Sequence, residues 1–124
     1  MRPAIFIVED EEVVSLFLRE SLNDEGFDVQ LFSDATSALK SMDKLGAVAA
    51  IIDVGLPDMR GDELARECRS RLPMLPIIIA TGYDERRYAL DAAIDPLVTI
   101  LGKPFDIPRL LLQLEKLGVF APSK

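Results

Sequence analysis

Five short, almost wholly apolar runs alternate with longer stretches whose apolar residues recur every three or four positions, and few folds accommodate that pattern. The runs Ala4 to Val8, Asp28 to Phe32, Ala47 to Ile52, Pro76 to Ala80 and Leu97 to Leu101 read as strands, most of them apolar on both faces. Such strands need a helical layer on each side, and a helix after every strand supplies the crossover that parallel pairing requires. The first helix is marked by Val13, Val14, Phe17, Leu18, Ser21 and Leu22, with Gly26 where it should stop. Ser33 or Asp34 can cap a second through Ala35, Ala38, Leu39 and Met42, ended by Gly46. A third fits Asp62 to about Leu72, with Leu64, Ala65, Cys68 and Leu72 inward. A weakly apolar one fits Asp84 to Ile94, and Asp106 caps the last, which carries Leu110, Leu111, Leu114 and Leu117. The expected fold is α/β: a doubly wound (βα)5 unit with a five-stranded parallel sheet, commonly ordered 2-1-3-4-5.

Residues 1–124 read as one domain, without a linker and with too few residues after the last helix for an output domain. Twenty-one acids against fourteen Lys and Arg give a net charge of -7, which speaks against a nucleic-acid platform. One cysteine allows no internal disulfide, and neither a signal peptide nor a membrane span is visible, so the expected location is cytoplasmic. The chain has no His, which removes His-based triads, metal sites and phosphohistidine from its own repertoire.

Open α/β sheets place their ligands outside the carboxyl ends of the strands, where the order reverses. There strand one runs into Glu9-Asp10, strand three into Asp53, strand four into Thr81 and strand five into Lys103. Order 2-1-3-4-5 makes strands one and three neighbours, so Glu9, Asp10 and Asp53 should meet. Three gathered carboxylates either take up protons or share a cation, and an oxygen-only donor set suits Mg²⁺. A lysine and a hydroxyl opposite them suit the oxygens of a transferring phosphoryl group.

Val8-Glu9-Asp10, the segment from Ile52-Asp53 through Gly55, Pro57 and Gly61, Ala80-Thr81-Gly82 and Lys103-Pro104-Phe105 together resemble the four signatures of the CheY-like response-regulator receiver domain, a flavodoxin-like fold. The resemblance spans essentially the whole chain. It implies that Asp53 accepts a phosphoryl group from a histidine kinase or histidine phosphotransferase. It also implies that Glu9, Asp10, Asp53 and the Gly55 carbonyl hold Mg²⁺, and that Thr81 and Lys103 contact the phosphoryl group. It makes Lys103-Pro104 a candidate cis peptide. The switch would alter a surface for an unknown downstream protein or act as a phosphate shuttle or sink. It would catalyse its own phosphorylation and dephosphorylation without turning over an external substrate. Family members often dimerise through the face of the fourth helix, fifth strand and fifth helix.

Two positions depart from the family pattern. Ile100 stands where receivers usually carry a mobile aromatic three residues before the lysine. Ile79-Ala80-Thr81-Gly82-Tyr83 partly resembles a single-domain subgroup with a Phe-Ala-Thr-Gly signature, in which Gly82 would make the loop pliable and Tyr83 would serve as the moving aromatic. Gly55 and Tyr83 stand at the positions that tune phosphoryl lifetime in the family, the first leaving water access and the second restricting it. Pro57 and Gly61 read as turn residues shaping the acceptor loop.

The alternatives are weaker. A Mg²⁺-dependent phosphatase with an Asp nucleophile needs a second acid two residues on, where this chain has Gly55. A flavin or nucleotide module needs a Gly- or Ser-rich turn after strand one, where this chain has four consecutive acids. A phosphorylation-independent receiver-like interaction module stays open because of Ile100.

Overall fold

A computed structural model describes residues 2–82 and 95–122. Five parallel strands, β1 (Ala4–Val8), β2 (Asp28–Phe32), β3 (Ala49–Asp53), β4 (Ile77–Thr81) and β5 (Val98–Gly102), form one sheet in the order β2-β1-β3-β4-β5. Four helices are described: α1 (Glu12–Asp24), α2 (Ala35–Leu45), α3 (Gly61–Arg71) and α4 (Ile107–Lys116). The helix expected over Asp84 to Ile94 lies outside the described residues.

Alternation along the strands splits the core in two. Phe6, Val8, Ala50, Ile52, Ile77 and Ile79 face α2 and α3, where Ala35, Ala38, Met42, Leu64 and Cys68 meet them. Ile5, Ile7, Ala49, Ile51 and Ile78 face Leu18 and Leu22 of α1 and Leu110 and Leu114 of α4. Side chains that point to opposite faces at every step explain why the central strands read as unbroken apolar runs. Phe6 meets Phe32 edge to face, with ring centroids 5.3 Å apart.

Local signals set the helix ends. Asp34 accepts a hydrogen bond from the Ser37 amide at 2.8 Å and Asp106 one from the Arg109 amide at 2.9 Å. Gly46 ends α2 with φ 58°, a left-handed conformation that glycine takes without steric cost. Cys68 is a core residue, and burial pushes its thiol up to about 12.

Three expectations shift. The third, fourth and fifth strands start one or two residues later than the apolar runs, because parallel pairing sets where a ladder begins. The third helix begins at Gly61. The first helix does not bury its whole apolar stripe: Val13 is 82% exposed and Phe17 54%. Ser15, Leu18 and Leu22 form the line against the sheet, and the Ser15 hydroxyl is satisfied by the Glu12 carbonyl at 3.0 Å.

Candidate phosphoacceptor site

Register brings the strand ends together. Val8 pairs with Ile52, Asp53 with Ala80 and Thr81 with Gly102, so the residues after β1, β3, β4 and β5 share one edge of the sheet. Glu9 extends β1 through its amide bond to the Phe32 carbonyl at 2.9 Å, which draws its side chain into the protein, 4% exposed. Asp10, one residue further, is exposed. Asp53 closes β3, and the Gly55 amide donates to its Oδ2 at 3.2 Å.

Lys103 joins these groups. Its amide donates to the Thr81 carbonyl at 2.7 Å, and the Lys103-Pro104 peptide is cis as expected. Its Nζ lies 2.8 Å from Glu9 Oε1 and 2.7 Å from Asp53 Oδ1. Burial disfavours the lysine's charge, but the contacts to Asp53 and Glu9 outweigh it and its pKa rises. Burial also governs Glu9, whose pKa is raised despite the hydrogen bonds from Lys103 and the Glu11 amide. The two shifts describe a partly dry site in which the lysine compensates two acids.

Carboxylate oxygens of Glu9, Asp10 and Asp53 lie within 4.8 Å of one another. A hard, oxygen-only donor set of one buried, one half-buried and one exposed acid fits a divalent cation that keeps part of its water shell, as Mg²⁺ does. The cavity beside them, about 420 Å³, is lined by Asp10, Glu11, Asp53, Val54, Gly55, Gly82 and Lys103. Its size and charges suit a phosphoryl group with waters.

The remaining expected residues divide. Thr81 ends β4 but is 1% exposed, and Gly82 rather than Thr81 contributes to the cavity lining. Gly82 takes no positive φ, and among the described residues a Cβ there would meet nothing within 4 Å. Gly61 is required by proximity rather than by a turn dihedral: a Cβ would sit 2.2 Å from the Asp53 carbonyl oxygen. Pro57 is exposed in the loop, and Ile100 packs partly buried against the α2 and α3 core. Tyr83 lies outside the described residues.

One residue escaped the sequence reading. Asp58 accepts hydrogen bonds at Oδ1 from the Ala35 amide (2.9 Å) and at Oδ2 from the Thr36 amide (3.0 Å) and hydroxyl (2.6 Å). These bonds, the Thr36 hydroxyl first, hold its carboxyl down at about 2. Its partners are 22 and 23 residues away, beyond any local motif.

A family model described as the response regulator receiver domain matches residues 5–115. The chain is 35% identical over 116 residues to response regulator MprA of Mycobacterium leprae, covering 91% of this chain and 50% of that protein. It is 31% identical over 109 residues to the C4-dicarboxylate transport transcriptional regulatory protein DctD of Rhizobium meliloti, covering 88% of this chain and 24% of that one. The chain thus spans half or less of the length of these relatives. A CheY-like receiver domain protein of Methanospirillum hungatei superposes with TM-score 0.86 at 26% identity, over 95% of each chain. Response regulator protein TrrA of Thermotoga maritima, solved in complex with Mg(2+)-BeF, does so with TM-score 0.81 at 27% identity, over 93% of this chain and 98% of that one.

Proposed function

The chain belongs to the response regulator receiver domain family of two-component systems, and from that premise we propose that Asp53 is its phosphoacceptor, with Glu9, Asp10 and the Gly55 carbonyl completing a Mg²⁺ site. The observation that carries this reading is the Lys103 ammonium 2.7 Å from Asp53 Oδ1, at the rim of a cavity where three carboxylates converge.

An Asp53 carboxylate oxygen attacks the phosphorus of a partner's phosphohistidine. A P–O bond forms as the P–N bond breaks, and the departing imidazole keeps the electron pair and takes a proton from water. Lys103 sits where it can follow charge onto the phosphoryl oxygens, and the Gly55 amide steadies Asp53 Oδ2. Bound Mg²⁺ would supply the remaining charge neutralisation. Thr81 supplies a hydroxyl that reaches the phosphoryl group by moving toward the cavity, and with Ile100 in place of an aromatic the signal leaves by another route. Gly55 leaves water a path to the phosphoryl group, and no external substrate is turned over.

The partner that brings the phosphohistidine, a histidine kinase or phosphotransferase, must cover the cavity mouth. Beside it lies an apolar groove of about 430 Å³ bounded by Val13, Phe17, Pro104 and Phe105 and reaching Lys103. Exposed Val13 and Phe17 are therefore assigned to that partner. The output surface, for a downstream protein or a second copy, is assigned to the side bearing β5 and α4, where Leu112 is exposed. Among the described residues no helix is long and apolar enough to cross a membrane.

The test is intact mass after incubation with Mg²⁺ and a small acyl phosphate, beside Asp53→Asn and a metal-free control, with a beryllofluoride titration in parallel. One added phosphoryl group in the wild type alone, and only with metal, is expected. Absence of both adduct and beryllofluoride binding would end the phosphotransfer reading.

A further inference from the structure

We propose that Asp58 is a positioning residue for the phosphoacceptor loop, tying the tip of that loop to the start of α2 so that Asp53 and Gly55 keep the geometry the metal and phosphoryl group need. The inference deepens the function proposed above and rests on it.

The argument starts from the amides of α2. A helix leaves its first N–H groups without internal partners, and a capping side chain reaches the second or third of them. Asp34 takes the third, at Ser37. The first and second, at Ala35 and Thr36, both go to Asp58. Thr36 is exposed, so water could serve its amide and hydroxyl, whereas Ala35 is 0% exposed and its amide relies on Asp58.

The loop relies on Asp58 too. Its base is fixed by the Val54 amide on the Ala80 carbonyl at 3.1 Å and the Gly61 amide on the Val54 carbonyl at 2.9 Å. Between these points run residues 55–60, with Leu56 and Met59 resting on the core. The three bonds of Asp58 are charge-assisted on the acceptor side, the stronger kind, and they fall between those two apolar rests. Gly55, three residues before, supplies both the amide on Asp53 Oδ2 and the carbonyl assigned to the metal. Fixing the tip therefore fixes the residue that touches the acceptor.

A purely structural role would make Asp58 one of two interchangeable caps of α2. Asp34 provides the control, because it caps the same helix without touching the loop. Asp58→Ala and Asp34→Ala are each expected to lower the melting midpoint by about 4 °C. Only Asp58→Ala should speed hydrogen exchange across residues 54–60 in metal-free protein. Only Asp58→Ala should raise the Mg²⁺ concentration for half-maximal phosphorylation, by about tenfold. Thr36→Val, which removes the hydroxyl alone, should give a smaller shift in the same direction and serves if Asp58→Ala does not fold. If Asp58→Ala and Asp34→Ala move loop exchange and Mg²⁺ dependence alike, the positioning role is overturned. A wild type that takes neither phosphoryl group nor beryllofluoride would instead overturn the phosphoacceptor reading and this inference with it.

Discussion

The two ends of the sheet are made by the same strands and have opposite characters. The amino end opens into the larger cavity, about 620 Å³, walled by Met42, Leu72, Met74, Leu117 and Phe120. The carboxyl end has about 420 Å³ and holds Asp10, Asp53 and Lys103 at its rim. Chain direction explains the contrast. Loops leaving the carboxyl ends of the strands lead into helix N-termini, where free amides and the helix dipole favour acids and phosphates. Loops entering the amino ends come off helix C-termini, with positive-φ glycines at Gly26 before β2 and Gly46 before β3 and with Pro73 after α3. Cavity size thus says little about chemistry in this fold. Convergence of charge says much more.

The sharpest way to break the contrast is at its most crowded backbone. Gly61→Ala puts a Cβ 2.2 Å from the Asp53 carbonyl oxygen and 2.7 Å from the Val54 Cα, neither of which can yield alone. A loss of about 4 kcal/mol in urea denaturation is expected, against under about 0.5 for Gly82→Ala, where the added methyl meets nothing among the described residues. Lys103→Met comes next. It leaves Glu9 buried without its cation, so the Glu9 carboxyl should titrate higher still by NMR. Removal of the ammonium from Asp53 should slow phosphoryl incorporation by about 100-fold in the mass assay.

These sites were legible in the sequence to unequal degrees. Glu9, Asp53 and Lys103 stand directly after apolar runs, so topology alone places them together. Asp34, Gly46 and Asp106 announce helix ends because capping is a local act. Val13 and Phe17 misled, since a periodicity of 3.6 identifies a stripe without saying which edge of it meets the sheet. Strand starts drifted because pairing with a neighbour, rather than hydropathy, begins a ladder. Asp58 was invisible for the same reason that it matters: its bonds join the acceptor loop to the start of α2, which only the tertiary fold brings together.

Asp58 also gives the carboxyl end a pH signature. Its carboxyl falls from the ordinary 3.8 to about 2 because its hydrogen bonds favour the ionised form. Its contribution to stability is therefore complete above pH 4 and is lost as pH falls through 2. The melting midpoint of the wild type should approach that of Asp58→Ala over this interval. A constant gap between the two, down to pH 2, would mean that the bonds do not depend on charge.

The smallest effect is expected at the opposite end. Met74, 77% exposed, and Phe120, 65% exposed, line the apolar cavity without filling the core. Met74→Ser and Phe120→Ser should each change stability by less than about 0.5 kcal/mol. Phosphoryl incorporation and Mg²⁺ dependence should stay at wild-type values, because no charged group of the acceptor site reaches that cavity. The result bears on how the domain signals. The two cavities lie at opposite ends of β3: Val48, just before the strand, lines one, and Asp53, which ends it, lines the other. A rate changed by either substitution would mean that the strand carries coupling end to end, and the amino-end cavity would have to be counted as part of the switch.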